Sequence, residues 1–78
     1  MKVILSGFGD VDRYVKGHPE LDLADGATVA ALLDRLGVAD RAQLTIGVNG
    51  ELAALDSRLK EGDKVMLVTP MEGGTAHA

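Results

Sequence analysis

Residues 28–36 read TVAALLDRL and carry the most regular hydrophobic pattern of this 78-residue chain. The larger apolar side chains recur at the spacing i, i+3, i+4, i+7, which places them on one face of a helix. These side chains are Val29, Leu32, Leu33 and Leu36. Thr28 can accept a hydrogen bond from a free backbone N–H at the start of this helix, and Gly37 can take the left-handed conformation that ends it. The stretch therefore predicts an amphipathic helix that must bury one face.

Runs with strand character lie on both sides of this helix, two before it and two after it. They are residues 2–7 (KVILSG), 20–24 (ELDLA), 44–48 (LTIGV) and 64–69 (KVMLVT). Asn49 and Gly50 predict a tight turn after the third run. Pro70 ends the fourth run, because proline has no N–H to add to a strand ladder. The predicted order of elements is β-β-α-β-β.

The first and last of these runs are the most continuously apolar, and continuous apolar runs favour the middle of a sheet over its edges. A connection that crosses over through the helix makes these two strands parallel. We therefore expect an α+β fold of the β-grasp (ubiquitin-like) type. It has a mixed sheet of four to five strands with one main helix packed on one face. The expected domain spans residues 1–70, and residues 71–78 are expected to form a flexible C-terminal tail.

Composition narrows the class of protein. The absence of cysteine excludes disulfides, thiolate metal sites and cysteine nucleophiles. The net charge is −4 and the basic residues are scattered, whereas nucleic-acid binding needs a basic patch or stacking rings. No apolar run approaches the roughly 20 residues of a membrane span, and the N-terminus lacks the features of a signal peptide. We expect a soluble cytoplasmic protein that binds neither nucleic acid nor membrane.

Side chains suited to catalysis are few. His18 and His77 have no convergent partners for a metal site or a catalytic triad, and Ser57 lies outside any nucleophile motif. Two acidic pairs are interpreted as solvated loop carboxylates, namely Asp10 with Asp12 and Glu61 with Asp63. We therefore expect no catalytic residue, no bound metal and no cofactor held by this chain, which is not expected to be an enzyme.

A glycine pair, Gly73 and Gly74, lies four residues from the end of the chain. An ordinary frayed terminus is one interpretation of such a pair. The other interpretation is steric, since glycine has no Cβ and two glycines can thread a narrow channel to the catalytic centre of another enzyme. The reactive group would then be a backbone carboxylate.

Three segments together resemble the MoaD/ThiS family of ubiquitin-like sulfur carriers, and the resemblance covers nearly the whole chain. They are DGATVAALLDRLGV (residues 25–38), VNGELAALDSRLKEGDKVMLVTP (residues 48–70) and MEGG (residues 71–74). The first resembles the turn and helix of the family. The second resembles its second half, with a VNG turn and a GDxV turn before the last strand. MEGG matches the terminal diglycine.

The resemblance implies a carrier on which other proteins act. An E1-like adenylating enzyme uses ATP and Mg²⁺ to adenylate the carboxylate of the last glycine, here Gly74, with Gly73 and Gly74 threading its active site. A sulfur donor displaces AMP and leaves a thiocarboxylate. A sulfur-accepting biosynthetic enzyme then uses the sulfur for molybdopterin, thiamin or a sulfur-containing amino acid. ATP and Mg²⁺ belong to the activating partner.

The tail departs from the family pattern in two ways. Met71 and Glu72 stand where family tails commonly run PPVAGG, which leaves the pathway open. The residues TAHA (75–78) follow Gly74, so that Gly74 has no free carboxylate. Some extended carriers of this family are trimmed by a JAMM-type zinc peptidase, and we hypothesise the same cleavage here, between Gly74 and Thr75. There are two competing accounts of TAHA. It is an expression scar, or it is a lineage-specific tail on a protein that has lost carrier function.

Two other functions use the same fold. One is a ubiquitin-like protein modifier joined to a target lysine through Gly74, and the other is a β-grasp interaction module with an inert diglycine. For partner docking we select the exposed side of the sheet near the last strand, with the apolar residues Leu59, Met66, Val68 and Met71 as candidates. Burial of Leu59, Met66 and Val68 in the core is the alternative for those three.

Overall fold

The computed structural model describes residues 1–39, 41 and 43–70, which form a mixed sheet covered on one face by a helix. Its strands are β1 (Lys2–Phe8), β2 (Glu20–Asp22), β3 (Thr45–Val48), β4 (Glu51–Leu52) and β5 (Lys64–Val68). Its α-helices are α1 (Asp12–Val15) and α2 (Val29–Leu36), and a 3₁₀ turn, Gly9–Val11, leads into α1.

The strand order in the sheet is β2-β1-β5-β3-β4. The first and last strands of the chain, β1 and β5, are neighbours inside the sheet and run parallel, with Leu5 opposite Val65. The pairs β1–β2, β3–β5 and β3–β4 are antiparallel. The prediction of a β-grasp sheet with two apolar strands paired in its interior is therefore confirmed, and the chain between those strands carries α2 across one face.

The helix α2 begins and ends at the predicted residues. The Thr28 hydroxyl accepts a hydrogen bond from the Ala31 N–H over 3.3 Å, and Gly37 ends the helix with φ of 81°. Leu32 and Leu33 are fully buried against the sheet. Full burial of an aliphatic side chain of this size stabilises a fold by about 1.5–3 kcal/mol.

The core lies between α2 and the inward side of the sheet. Val3 and Leu5 of β1 and Val65 and Leu67 of β5 point into it, while the residues between them point to the opposite side, as a period of two requires. The other buried apolar residues are Val11, Val15, Leu23, Val29, Leu32, Leu33, Val38, Ile46 and Leu59.

Strand boundaries differ from the sequence prediction at several places, including a start of β3 at Thr45 rather than Leu44 and an end of β5 at Val68 rather than Thr69. β1 extends one residue further, to Phe8, because it pairs with β5 as far as Val68. β2 ends at Asp22, although the Leu23 N–H still donates to the Met1 carbonyl over 2.7 Å. The two-residue strand β4 was not predicted, since its only signature is antiparallel pairing with β3.

Candidate functional site

Part of the predicted carrier site lies outside the described residues. Gly73, Gly74, the bond between Gly74 and Thr75, and the docking candidate Met71 all fall in residues 71–78. The roles predicted for them stay predictions, as does the division of the chain after residue 70. The structure describes the chain up to Pro70, and it therefore shows the end of β5 and the surface around Thr69.

The described chain ends just after β5, which is an interior strand of the sheet. Thr69 follows β5, and its N–H donates to the Phe8 carbonyl over 2.9 Å, which continues the pairing of β5 with β1. The Thr69 hydroxyl oxygen accepts a hydrogen bond from the Val11 N–H, also over 2.9 Å. Because β1 and β5 are parallel, Thr69 lies beside the end of β1.

One face of the sheet is not covered by α2 and carries large apolar side chains. Phe8 is 54% exposed, Met66 is 45% exposed and Ile4 is 39% exposed. Val68 is half-buried and pairs with Phe8 in the register of β1 and β5. We call Ile4, Phe8, Met66 and Val68 the open sheet face. Scattered exposed apolar residues are ordinary, whereas these four lie on one side of two neighbouring strands, with the polar residues Ser6 and Lys64 beside them.

The open sheet face continues toward the edge strand β4. Gly47 of β3 pairs with Met66 on one side and with Leu52 on the other. Leu52 is 83% exposed. Since Gly47 has no side chain, the surface dips between Met66 and Leu52. A second depression of about 430 Å³ borders Met66 and is lined by Ser6, Asn49, Gly50, Lys64, Val65 and Met66.

The structure places the predicted docking residues in two different environments. Met66 and Val68 lie on the open sheet face, where a partner can reach Met66. The prediction for Leu59 is wrong, because its side chain is only 2% exposed and belongs to the core. The Leu59 N–H donates to the Ala27 carbonyl over 2.8 Å, which holds this segment against the chain just before α2.

Sequence reasoning missed the aromatic member of this face. Phe8 follows the predicted first strand directly, and Ile4 alternates with the inward residues Val3 and Leu5. Extending the strand by one residue and applying its period of two would have placed Ile4 and Phe8 on the same side as Met66. The exposure of Leu52 had no comparable signal, since β4 itself was not recognised.

Asp63 is also placed differently from its interpretation as a solvated carboxylate. It is only 9% exposed, and its oxygens accept hydrogen bonds from the Asn49 side-chain amide over 2.9 Å and from the Lys60 N–H over 2.8 Å. The Asn49 side-chain oxygen in turn accepts from the Lys64 N–H over 3.0 Å. These bonds join the VNG turn to the GDxV turn, the two turns of the second segment that carries the family resemblance. The Asn49–Asp63 pair thus connects the end of β3 to the start of β5.

The described residues offer no reactive side-chain cluster. Within residues 1–39, 41 and 43–70, no group of His, Asp or Glu is placed to hold a metal ion. His18 is exposed in a loop, and the Ser57 hydroxyl is occupied by the Ala54 N–H at 3.0 Å. In the same part of the chain, neither helix has the length and apolar character to cross a membrane. The described part of the site therefore consists of an exposed apolar face and of the hydrogen bonds that hold Thr69.

Comparison with known proteins agrees with this geometry. The model of the ThiS family matches residues 8–74, while no curated protein matches the chain significantly. SAMP1 from Haloferax volcanii is similar, with 27% identity, a TM-score of 0.72, and coverage of 95% of this chain and 100% of that one. A putative molybdopterin converting factor subunit 1 from Pyrococcus furiosus has 25% identity, a TM-score of 0.68, and coverage of 91% and 99%. The thiamine biosynthesis protein ThiS from Geobacter metallireducens has 25% identity, a TM-score of 0.64, and coverage of 95% and 100%.

These neighbours share the ubiquitin-like β-grasp fold, and the similarity extends over whole chains rather than over an isolated motif. ThiS/MoaD proteins are small carriers that work with E1-like and sulfur-accepting enzymes. Because the family model accounts for most of the sequence and for the fold described above, the chain belongs to the ThiS family.

Proposed function

We propose that this protein is a sulfur carrier whose working group is the carboxylate of Gly74, formed after removal of residues 75–78. The observation that carries the proposal is the extent of the family match, which begins at Phe8 and stops at Gly74. The match includes the glycine pair and leaves TAHA outside. The described residues add an anchored tail base beside an exposed apolar face.

The first chemical step requires a free carboxylate. The peptide bond between Gly74 and Thr75 is hydrolysed, which releases the peptide TAHA and leaves the carboxylate on Gly74. We assign this step to a JAMM-type zinc peptidase, in which the metal activates the attacking water. The zinc belongs to the peptidase, and the carrier contributes the bond that is cleaved.

The second step activates the carboxylate. One of its oxygens attacks the α-phosphorus of ATP on the E1-like partner, pyrophosphate leaves, and the partner's Mg²⁺ balances the phosphate charge. Hydrosulfide released by a sulfur donor then attacks the acyl carbon, AMP leaves, the sulfur loses its proton, and a thiocarboxylate remains on Gly74. The thiocarboxylate passes its sulfur to a biosynthetic enzyme for molybdopterin, thiamin or a sulfur-containing amino acid. We place this chemistry in the cytoplasm.

Docking is assigned to the open sheet face. Exposed apolar side chains of Phe8 and Met66 provide the contact area that an activating partner needs to hold the domain while the tail enters its active site. Val68 supports Phe8 from the neighbouring strand. Met71, the next apolar residue beyond Thr69 and Pro70, is assigned to the same contact.

A second candidate function is protein modification. It is favoured by the likeness to SAMP1, a protein named small archaeal modifier protein 1. In this case a lysine amine on a target displaces AMP from the same Gly74 acyl group and forms an isopeptide bond. The two functions share the fold, the trimming step and the activation step, and they differ only in the attacking nucleophile.

Intact mass spectrometry of the full chain expressed in its native host tests both functions. The carrier predicts loss of the mass of TAHA, followed by the gain expected when sulfur replaces one carboxylate oxygen. Target lysines that carry a remnant ending in Gly74 favour the modifier. A chain that keeps residues 75–78 in cells that contain the E1-like partner contradicts both. Deletion of each candidate sulfur-accepting enzyme, with the thiocarboxylate followed by mass, identifies the pathway.

A further inference from the structure

Two hydrogen bonds and a close backbone approach surround Thr69 at the point where the chain leaves β5. Its N–H donates to the Phe8 carbonyl and its hydroxyl accepts from the Val11 N–H, each over 2.9 Å. Its carbonyl oxygen lies so close to Gly9 that a Cβ at Gly9 would collide with it. We call Thr69 with these three partners the Thr69 clamp.

The clamp is anchored in the core. Val11 is buried, so the N–H that binds the Thr69 hydroxyl belongs to a residue that cannot shift without disturbing the core. Gly9 has φ of 86°, a conformation that favours glycine, and this lets the 3₁₀ turn fold back over the end of β5. The base of the tail is thus fixed to two elements, β1 and the 3₁₀ turn.

The clamp also connects the tail to the open sheet face. Phe8 uses its carbonyl to bind Thr69, while its side chain is 54% exposed on that face. For any partner that contacts the Phe8 ring, Thr69 therefore lies at a constant distance from that contact. Pro70 continues this constraint, because its ring fixes φ near −65° and keeps Thr69 out of the helical region.

Five residues separate Thr69 from the Gly74 carboxylate. A chain of five residues spans at most about 18 Å, since each residue advances the chain by about 3.3–3.6 Å. With so short a reach, the origin and first direction of the tail decide how often Gly74 meets a fixed catalytic centre.

We propose that Thr69 is a positioning residue: the Thr69 clamp aims the arm of residues 70–74 relative to the open sheet face, so that a partner docked on that face receives Gly74. This inference rests on the proposed function for its purpose, while the restraint itself is a property of the chain alone. Thr69 touches no reacting atom and acts through the placement of Gly74. It follows that removing the hydroxyl slows activation without weakening docking.

The restraint is tested on the full chain with spin labels. The protein has no cysteine, so labels at Ala54→Cys and Glu72→Cys are specific. We expect the distance distribution between them to broaden in Thr69→Val, which has the same shape without the acceptor, and to keep its original width in Thr69→Ser. A reference pair at Lys16→Cys and Ala54→Cys, both exposed in the domain, should not change. Equal widths in wild type, Thr69→Val and Thr69→Ser overturn the inference.

The purpose of the restraint is tested by pyrophosphate release from the E1-like partner, with the purified form that ends at Gly74. We expect kcat to fall about tenfold in Thr69→Val with KM for the carrier unchanged, because a small misplacement of a reacting group costs rate rather than binding. Thr69→Ser should restore kcat. Unchanged kcat, or a loss that appears only in KM, overturns the positioning role.

Insertion of one glycine between Pro70 and Met71 provides a second variant that leaves the clamp and the fold untouched. The insertion lengthens the arm by one residue and so moves the terminal carboxylate relative to the open sheet face. We expect kcat to fall as in Thr69→Val. Full activity of this variant contradicts the inference. If the partner does not activate even the wild-type form, the proposed function fails, and the spin-label widths still decide whether the clamp restrains the tail.

Discussion

The side-chain amide of Asn49 and the carboxylate of Asp63 are hydrogen-bonded over 2.9 Å, across two turns that are 14 residues apart in sequence. Asn49 adopts φ of 54°, and its side-chain oxygen Oδ1 accepts a hydrogen bond from the Lys64 N–H. The pair thereby sets the start of β5 against the end of β3. Since β5 lies inside the sheet and ends at Thr69, the same pair helps to set the strand from which the tail leaves.

Asp63→Ala should destabilise the domain by about 1–3 kcal/mol, because the Lys60 N–H and the Asn49 amide would lose a partner in a partly buried site. Urea denaturation monitored by circular dichroism measures the change. Asp56→Ala removes an exposed carboxylate of the same type and should stay within about 0.5 kcal/mol of wild type. Equal stability of the two variants would contradict the role given to Asp63.

Leu59→Ala should cost about 2–5 kcal/mol of unfolding free energy, since Leu59 is buried in the core and its truncation leaves a cavity. Leu52→Ala is the matched control, because the same atoms are removed from a side chain that is 83% exposed. The midpoint of thermal unfolding separates them. A larger loss for Leu52→Ala would show that the burial of Leu59 is misassigned.

Met66→Asp should weaken binding to the E1-like partner at least tenfold while the domain stays folded, because a charge would be buried in an apolar contact on the open sheet face. Isothermal titration calorimetry measures the affinity. Ala39→Asp adds the same charge at an exposed position just beyond the end of α2, and it should bind as wild type does. Equal affinity of both variants would remove the open sheet face as the docking surface.

Gly74→Val in the form that ends at residue 74 should bind the E1-like partner with unchanged affinity and yet yield no adenylate. The reason is steric, since a branched Cβ cannot pass a channel that fits only glycine. Radiolabelled ATP–pyrophosphate exchange gives the activation, and calorimetry gives the affinity. Exchange at the wild-type rate would contradict the threading role of Gly74.

Thr28→Ala should lower stability by about 1 kcal/mol, because the Ala31 N–H loses the side-chain acceptor at the start of α2. Thr28→Ser keeps the hydroxyl and should retain most of the stability. Chemical denaturation of the three proteins under one set of conditions provides the comparison. A loss in Thr28→Ser as large as that in Thr28→Ala would show that the cap contributes nothing.

Local patterns were sufficient for much of the fold. The spacing of Val29, Leu32 and Leu33 predicted both the existence of α2 and the face it buries, because a helix repeats every 3.6 residues whatever packs against it. Thr28 and Gly37 marked its ends, since capping depends on groups within one turn. The apolar character of β1 and β5 predicted their place inside the sheet, because continuous apolar runs favour the middle of a sheet over its edges.

The candidate site was less accessible to such patterns. Leu59 and Met66 are both single apolar residues in the second half of the chain, and only packing shows that one is core and the other surface. In the sequence, Asp63 is indistinguishable from an ordinary loop carboxylate. Only the tertiary structure shows that it accepts a hydrogen bond from the Asn49 amide. These assignments depend on contacts between residues far apart in the chain, and a local period carries no information about such contacts.

By itself, the sequence determined the helix, the two interior strands and the glycine pair that identify the kind of protein, because each follows from neighbouring residues. The tertiary structure alone decided that Phe8 and Met66 are exposed on the same side of the sheet and that Thr69 is hydrogen-bonded to Val11, 58 residues earlier. Both relations arise from the parallel pairing of β1 with β5. That pairing joins the two ends of the domain, and it places an apolar face next to the start of the tail.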